Sequence, residues 1–257
     1  MDTRPVGVFD SGMGGISLLR NLTRLLPGEN FIYYGDDKNA PYGTRPENEI
    51  LKLALDDVGF LKSHGAKAIV IACNTATSAA AARLRATEEL PIIGIEPALK
   101  PACLADLGGK TLVLATPATL RQSKFMLLMN KYGSDAIPLP CPGLMEFAER
   151  GETESTALDE YLISLFKPYA GVNITAAVLG CTHYTFLAKA IAKALPHARL
   201  YDGNEGTARQ LKRVLEANKL LGAQSGGSVK MYTSGNAEVL LPIMQKLYNT
   251  KIAELVI

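Results

Sequence analysis

The chain has 257 residues, of which 47% are hydrophobic and 20% charged, with a formal net charge of +2. This composition is typical of a globular protein with a buried core, and it excludes an intrinsically disordered chain. Lysine and arginine are scattered among aspartate and glutamate, so neither nucleic acid nor a membrane surface is an expected partner. No apolar run approaches the ~20 residues of a membrane-spanning helix, and we expect no secretory segment. The sequence therefore predicts a cytoplasmic protein that binds a small molecule.

The four cysteines, Cys73, Cys103, Cys141 and Cys181, lie far apart in the sequence and show no paired spacing. This pattern argues against a zinc cluster and, in a reducing compartment, against a disulfide framework. We expect free thiols and no metal site. Taken singly, Cys103 and Cys141 are expected to be small buried hydrophobic residues.

The first elements are a strand over 5–9, a glycine-containing loop over 10–15 and an amphipathic helix over 16–26. The amide groups at the start of that helix suit a carboxylate or a phosphate. The loop lacks both the dinucleotide fingerprint and the lysine of a P-loop, so nucleotide binding is not favoured. Asp10 is either a functional group at the strand end or an N-cap of the helix.

The next elements lead to the first thiol. A strand over 31–34, an irregular loop over 35–45 and a helix over 47–64 precede a buried strand that begins at 68. This strand ends at Cys73, and a helix-prone run follows over 78–85. A cysteine at the start of a helix has a lowered pKa, so we predict a reactive thiol here. A further strand is predicted over 90–97, and we expect the chain to pass from the first domain to the second there.

The second half repeats this pattern. A strand over 110–115 ends in a loop with Thr116 and Thr119, and a later strand delivers Cys181 at nearly the same distance that separates Asp10 from Cys73. Such repetition predicts duplicated α/β units, with the two thiols facing each other. The remaining predicted elements are a helix over 120–132, a turn-rich segment over 138–142, helices over 143–150, 159–166, 186–195, 205–221 and 237–248, and strands over 198–201 and 229–233.

The two half-chains define the predicted domains. The first comprises 1–97 together with 208–257, and the second comprises 98–207. Because open α/β sheets bind ligands at the carboxyl ends of their strands, we expect the active site in the cleft between the domains.

Two thiols of this kind suit one of two chemistries. One is a redox pair, although redox dithiols usually lie within one short motif. The other is an acid and a base that act on opposite faces of one carbon. A thiol has an ordinary pKa of ~8.5, so both protonation states exist near neutral pH. In that case His183 either assists proton transfer or stabilises the thiolate, and backbone N–H groups after Asp10, Asn74 and Thr182 would stabilise the carbanion.

Five segments, in this order and spacing, resemble the bacterial glutamate racemases of the cofactor-independent aspartate/glutamate racemase superfamily. The similarity runs nearly end to end. The segments are Phe9-Asp10-Ser11-Gly12-Met13-Gly14-Gly15, Ala40-Pro41-Tyr42-Gly43, Ala72-Cys73-Asn74-Thr75-Ala76-Thr77, Leu179-Gly180-Cys181-Thr182-His183-Tyr184 and Tyr232-Thr233-Ser234-Gly235.

The resemblance implies two pseudo-symmetric Rossmann-like or flavodoxin-like α/β domains with largely parallel sheets. It implies that Cys73 acts on D-glutamate with help from Asp10, and that Cys181 acts on L-glutamate with help from His183. By distance from the second cysteine, the family's assisting glutamate falls on Glu149 rather than Glu152. The substrate pocket would be lined by Asp10, Ser11, Pro41, Tyr42, Gly43, Asn74, Thr75, Thr116, Thr119, Thr182 and His183. No cofactor is implied. The product D-glutamate would serve peptidoglycan synthesis. The resemblance leaves open whether the enzyme is a homodimer.

The sequence departs from the family pattern at two places, since Met13 replaces a smaller aliphatic residue and Glu146-Phe147-Ala148 replaces the usual surroundings of the assisting glutamate. Related aspartate racemases tend to carry histidine at the place of Thr77 and glutamate at the place of His183. The residues present here favour glutamate. The alternatives are an aspartate or other amino-acid racemase of the same superfamily, and a non-catalytic binding protein on that scaffold.

Overall fold

The computed structural model describes residues 1–249, and contacts divide them into two compact units. The first unit contains Met1–Glu96 and continues from Asn204, and the second is Pro97–Gly203. The predicted boundary at 208 falls inside a helix that begins at Asn204, so the division lies a few residues earlier in the sequence. The part of the predicted first domain over 250–257 lies outside the described residues.

The strands are β1 (Val6–Asp10), β2 (Phe31–Gly35), β3 (Ala68–Ile71), β4 (Ile92–Gly94), β5 (Lys110–Ala115), β6 (Ala136–Pro140), β7 (Ile174–Leu179), β8 (Arg199–Tyr201) and β9 (Val229–Thr233). The helices are α1 (Ile16–Leu25), α2 (Glu47–Ser63), α3 (Asn74–Thr87), α4 (Leu99–Leu104), α5 (Pro117–Arg121), α6 (Ser123–Tyr132), α7 (Leu144–Glu149), α8 (Thr156–Phe166), α9 (Ala188–Ala194), α10 (Asn204–Ala217) and α11 (Ala237–Asn249). Short 3₁₀ turns cover Asp37–Asn39, Tyr42–Thr44, Lys167–Tyr169 and Thr182–Leu187.

The first unit is built on a five-stranded sheet in the order β4-β3-β1-β2-β9, and every neighbouring pair is parallel. Strands β1 and β3 are buried along their whole length, as expected for parallel strands covered on both faces. Helices α2 and α3 supply one side of the core, where Val58, Leu61 and Ala80 pack with Ile69. Helix α1 packs against α10 and α11.

The second unit is built on a four-stranded parallel sheet in the order β6-β5-β7-β8. Two separate apolar clusters pack around it. One contains Leu144, Leu158 and Ile191 from α7, α8 and α9, and the other contains Leu99 and Phe125 from α4 and α6. The predicted α/β class with largely parallel sheets is confirmed.

Two local predictions are wrong. The segment over 138–142 was expected to be turn-rich, but β6 reaches Pro140. As an edge strand, β6 pairs on one side only and therefore tolerates two prolines. The helix expected over 120–132 is interrupted at Gln122, whose backbone is extended, and forms α5 and α6. Helix α3 begins at Asn74, directly after Cys73 as the sequence predicts, and the Cys73 side chain caps its first turn.

Candidate active site

Asp10 is the last residue of β1 and is fully buried. Its Oδ2 accepts a hydrogen bond of 2.9 Å from the Gly15 amide, and Gly15 rather than Asp10 occupies the N-cap position of α1. A Cβ atom at Gly15 would lie 2.7 Å from the Ala72 Cβ and 2.8 Å from the Asp10 Cβ, so only glycine fits. The loop after β1 is therefore held tightly against the strand that leads to Cys73.

Cys73 lies two residues beyond the end of β3 and forms the N-cap of α3. Its Sγ accepts a hydrogen bond of 3.4 Å from the Ala76 amide and lies 3.6 Å from the Ser11 Oγ. Strands β1 and β3 are neighbours, and the Ala72 amide donates to the Phe9 carbonyl. The predicted residues Ser11 and Cys73 are thus in contact, beside the end of the strand that carries Asp10.

The other predicted residues of the first unit surround these. Asn74 and Thr75 are buried in the first turn of α3. Pro41 is half-buried, and Tyr42 and Gly43 are buried in the turn that follows β2. Strand β2 pairs with β1 on the side opposite β3. The predicted set thus follows the carboxyl ends of three adjacent strands, which is the usual ligand-binding edge of a parallel sheet.

In the second unit, Thr116 and Thr119 form a hydroxyl pair at the carboxyl end of β5. Thr116 is the N-cap of α5, and its Oγ1 accepts a hydrogen bond of 3.2 Å from the Thr119 amide. The two hydroxyl groups are 2.9 Å apart. Both side chains are buried, so the pair provides a preorganised polar site.

Cys181 follows strand β7, which is the neighbour of β5 in the sheet. The Gly180 amide, just before this cysteine, donates a hydrogen bond to the Leu114 carbonyl of β5. The Cys181 Sγ lies 3.8 Å from Nδ1 of His183, and Nε2 of His183 lies 3.4 Å from Oε1 of Glu149. His183 is buried, whereas the Glu149 side chain is 30% exposed. A thiol, an imidazole and a carboxylate are therefore arranged in a row. Thr182, also buried, begins the 3₁₀ turn that carries His183.

The alternative glutamate is placed differently. Glu152 accepts hydrogen bonds from the exposed Arg150 side chain at 2.7 and 3.3 Å. This ion pair holds the pKa of Glu152 below its usual range. Glu149, at the end of α7, is the one that contacts His183.

The remaining thiols lie in apolar surroundings. Cys141 is buried near Cys181, and its thiol donates to the Leu139 carbonyl at 3.3 Å. Burial raises the pKa of Cys141 well above the ordinary thiol value, so this thiol stays protonated. Cys103 is partly exposed and packs against the core of the second unit, and its pKa is also raised by burial. Within residues 1–249, no group of three or more His, Cys, Asp or Glu residues is placed to hold a metal ion.

Sequence reasoning missed two buried carboxyl groups in the first unit, Asp36 and Asp57, whose Oδ2 atoms both approach the hydroxyl group of Tyr42. Asp36 follows β2 directly, and this position at a strand end could have marked it as a candidate site residue. Asp57 lies in the middle of α2 among charged and apolar residues, and nothing in the sequence distinguishes it from a surface aspartate.

Residues 6–211 match the Asp/Glu/hydantoin racemase family. The match covers well over half of the chain, and the chain belongs to this family. It is an isomerase of the racemase class.

Within that class, the similarity is to glutamate racemases. The enzyme from Clostridium kluyveri (strain ATCC 8527 / DSM 555 / NBRC 12016 / NCIMB 10680 / K1) is 46% identical over 96% of this chain and 98% of its own length. The structure of glutamate racemase from Thermus thermophilus in complex with beta-chloro-D-alanine matches with a TM-score of 0.83 and 34% identity, over 98% of this chain and 96% of that one. The structure of the Francisella tularensis subsp. tularensis SCHU S4 enzyme in complex with D-glutamate matches with a TM-score of 0.83 and 30% identity, over 100% and 98%. The resemblance inferred from the sequence motifs is confirmed.

Proposed function

We propose that this enzyme is a glutamate racemase that interconverts L-glutamate and D-glutamate by proton transfer at the α-carbon. One observation carries the proposal. Each unit places a buried cysteine two residues after a strand of its parallel sheet, Cys73 after β3 and Cys181 after β7, and each thiol has a polar partner within 4 Å. The names of the relatives at 46% identity support glutamate as the substrate.

The two cysteines act as the two bases. With D-glutamate, the Cys73 thiolate removes the α-proton, and the Cys181 thiol donates its proton to the opposite face of the carbanion. The product is L-glutamate, with Cys73 protonated and Cys181 as the thiolate. The reverse reaction starts from that state. Inversion by this route requires both thiols to reach one α-carbon from opposite sides.

The partners of each thiol have distinct roles in this proposal. At Cys73, the Ala76 amide at the start of α3 stabilises the thiolate form. Asp10 assists proton transfer on this side. At Cys181, the His183 imidazole exchanges the proton with the thiol, and Glu149 orients the ring and stabilises its charged form.

The polar groups around the thiols suit an amino acid with two carboxylates. Helix N-termini and their amides bind anions, and both α3 and α5 begin next to predicted site residues. The hydroxyl-bearing residues that we assign to substrate binding are Ser11, Thr75, Thr116, Thr119 and Thr182. The proposed pocket is completed by Asp10, Pro41, Tyr42, Gly43, Asn74 and His183.

Deuterium exchange tests the function directly. Purified enzyme is incubated in deuterated water with single enantiomers of glutamate or aspartate, without added cofactor, and the products are followed by circular dichroism and proton NMR. We expect both glutamate enantiomers to racemise with α-deuterium incorporation, and aspartate to remain largely unchanged. Exchange of aspartate alone would identify an aspartate racemase, and no exchange of any substrate would indicate a binding protein.

The cellular role follows from the reaction. We propose that the enzyme supplies D-glutamate for peptidoglycan synthesis in the cytoplasm, where its four thiols stay reduced. Within the described residues, the helices are too short or too polar to cross a bilayer. A homodimer is part of the proposal, and size-exclusion chromatography with light scattering tests it.

Glu149→Gln separates the two candidate glutamates. Hydrogen bonds that involve charged groups contribute about 1.5–3 kcal/mol, so loss of the Glu149 carboxylate is expected to lower kcat by about 10- to 100-fold. Glu152→Gln is the matched control, because its carboxylate pairs with exposed Arg150, and it is expected to keep wild-type turnover. Steady-state racemisation assays check this, and equal effects in the two variants would refute the role of Glu149.

A further inference from the structure

A buried hydroxyl group lies between two buried carboxyl groups in the first unit. The Tyr42 hydroxyl oxygen is 2.6 Å from Oδ2 of Asp36 and 3.0 Å from Oδ2 of Asp57. All three side chains are at least 98% buried. The residues come from different elements, since Asp36 follows β2, Tyr42 lies in the turn before α2, and Asp57 lies within α2. The cluster therefore ties this turn to the sheet and to the helix.

Counting protons shows that both contacts are hydrogen bonds only if one carboxyl group is neutral. A phenol has one proton to donate, and an ionised carboxylate has none. The Tyr42 hydroxyl can therefore donate to one aspartate only. The other short contact is a hydrogen bond only if that second aspartate carries a proton and donates it to the tyrosine oxygen.

The other contacts identify which aspartate is the acceptor. Asp36 accepts hydrogen bonds from the Asn39 amide group at 3.0 Å and from the Ser234 hydroxyl at 2.7 Å. Its contact with Tyr42 is also the shorter of the two. Asp36 thus accepts the hydrogen bond from the Tyr42 hydroxyl group, and proton counting then leaves Asp57 as the carboxyl group that would donate.

The surroundings of Asp57 favour its neutral form. Burial, and then the nearby charge of Asp36, raise the pKa of Asp57 to about 8, against the opposing effect of the Tyr42 hydroxyl group, which lowers it. Asp56 on the same helix and Asp10 of β1 add further negative charge, and Tyr34 of β2 is a further titratable neighbour. Helix α3, which packs against α2, contributes alanines to the contact between the two helices, and these side chains carry no charge.

We propose that Asp57 is a positioning residue: its neutral carboxyl group donates to Tyr42 and fixes the Pro41–Gly43 turn for substrate binding. The assignment of this turn to the substrate pocket rests on the proposed function. Asp57 acts through Tyr42 and does not touch the reacting atoms. The cluster makes substrate binding sensitive to alkaline pH, because ionised Asp57 would face ionised Asp36 and could no longer donate.

The sign of the effect on stability follows from the raised pKa. The ordinary pKa of aspartate is 3.8, whereas burial raises the pKa of Asp57 to about 8 in the folded chain. The contribution of its neutral form to stability is fully present below the lower value and is lost progressively as the pH rises towards 8. Above that pH, the folded chain carries an unfavourable buried charge.

Thermal melting tests the protonation of Asp57 without reference to activity. Asp57→Asn keeps the shape and an N–H donor but cannot ionise. We expect its melting temperature to exceed that of the wild type by a margin that widens between pH 5 and pH 8.5. Asp56→Asn, one residue earlier on the exposed side of α2, is the matched control: it removes only a minor contribution to the pKa of Asp57, so its margin over the wild type should stay much smaller than that of Asp57→Asn. Parallel melting curves for wild type and Asp57→Asn would overturn the proposal.

Kinetics test the positioning role. At pH 7, Asp57→Asn is expected to have a wild-type KM, whereas Asp57→Leu, which cannot donate, is expected to raise KM about tenfold, the effect of one lost hydrogen bond. Between pH 7 and 9.5, KM should rise more steeply in the wild type than in Asp57→Asn, with kcat affected equally in both. A wild-type KM in Asp57→Leu would overturn the positioning role. A wild type inactive on glutamate would overturn the proposed function instead, and the melting comparison would still decide the state of Asp57.

Discussion

Cys73→Ala and Cys181→Ala are each expected to abolish racemisation in both directions. General acid or base catalysis contributes about 10²- to 10⁴-fold to a rate, and inversion needs both groups in every turnover, so we expect kcat to fall by about 10³-fold or more. Both thiols are at least 91% buried at strand ends, and alanine leaves no group that can transfer the proton. Circular dichroism, started from each enantiomer in turn, measures the loss.

Deuterated water distinguishes loss of one base from general damage. Cys181→Ala retains Cys73, so D-glutamate should still exchange its α-proton with retention of configuration. Cys73→Ala should exchange L-glutamate in the same way. The double variant is expected to exchange neither enantiomer. This enantiomer-specific pattern cannot arise from misfolding.

Cys103→Ala is the control for cysteine replacement, because this partly exposed thiol packs at the edge of a core in the second unit. It is expected to keep wild-type turnover. Near-normal racemisation in either Cys73→Ala or Cys181→Ala would refute the two-base mechanism.

The fold could be predicted from the sequence wherever a strand is buried on both faces. The apolar runs of β1, β3 and β7 end abruptly in polar residues, and the structure has parallel strands at each of them. Edge strand β6 could not be found in this way. It contains Pro138 and Pro140, and only its position in the sheet explains why they are tolerated.

The candidate site was predictable to the extent that it follows strand ends. Ser11 and Cys73 are distant in sequence, but the parallel pairing of β1 and β3 brings their side chains into contact. Glu149 was assigned through the family resemblance alone, since its contact with His183 depends on how α7 packs against the following turn. The contact of Asp57 with Tyr42 could not be predicted, because the tertiary packing of α2 brings the two side chains together.

Lys67→Met is expected to destabilise the first unit by about 3–5 kcal/mol, the cost of leaving one member of a buried ion pair without its partner. The Lys67 Nζ lies 2.6 Å from Oε2 of Glu29, and both side chains are at least 98% buried. The same ammonium group donates to the Asp2 carbonyl at 2.7 Å, and Glu29 also accepts from the Gly222 amide, so the pair joins three parts of the unit. Thermal unfolding should show a melting temperature lower by about 10 °C. The combined Lys67→Met and Glu29→Gln variant should recover part of this loss, because no charge is then left unpaired.

Lys62→Met is the control: its pair with Glu88 has a lysine side chain that is 47% exposed, and such pairs contribute at most about 1 kcal/mol. Equal losses in Lys67→Met and Lys62→Met would show that burial of the Lys67 pair does not determine its contribution to stability.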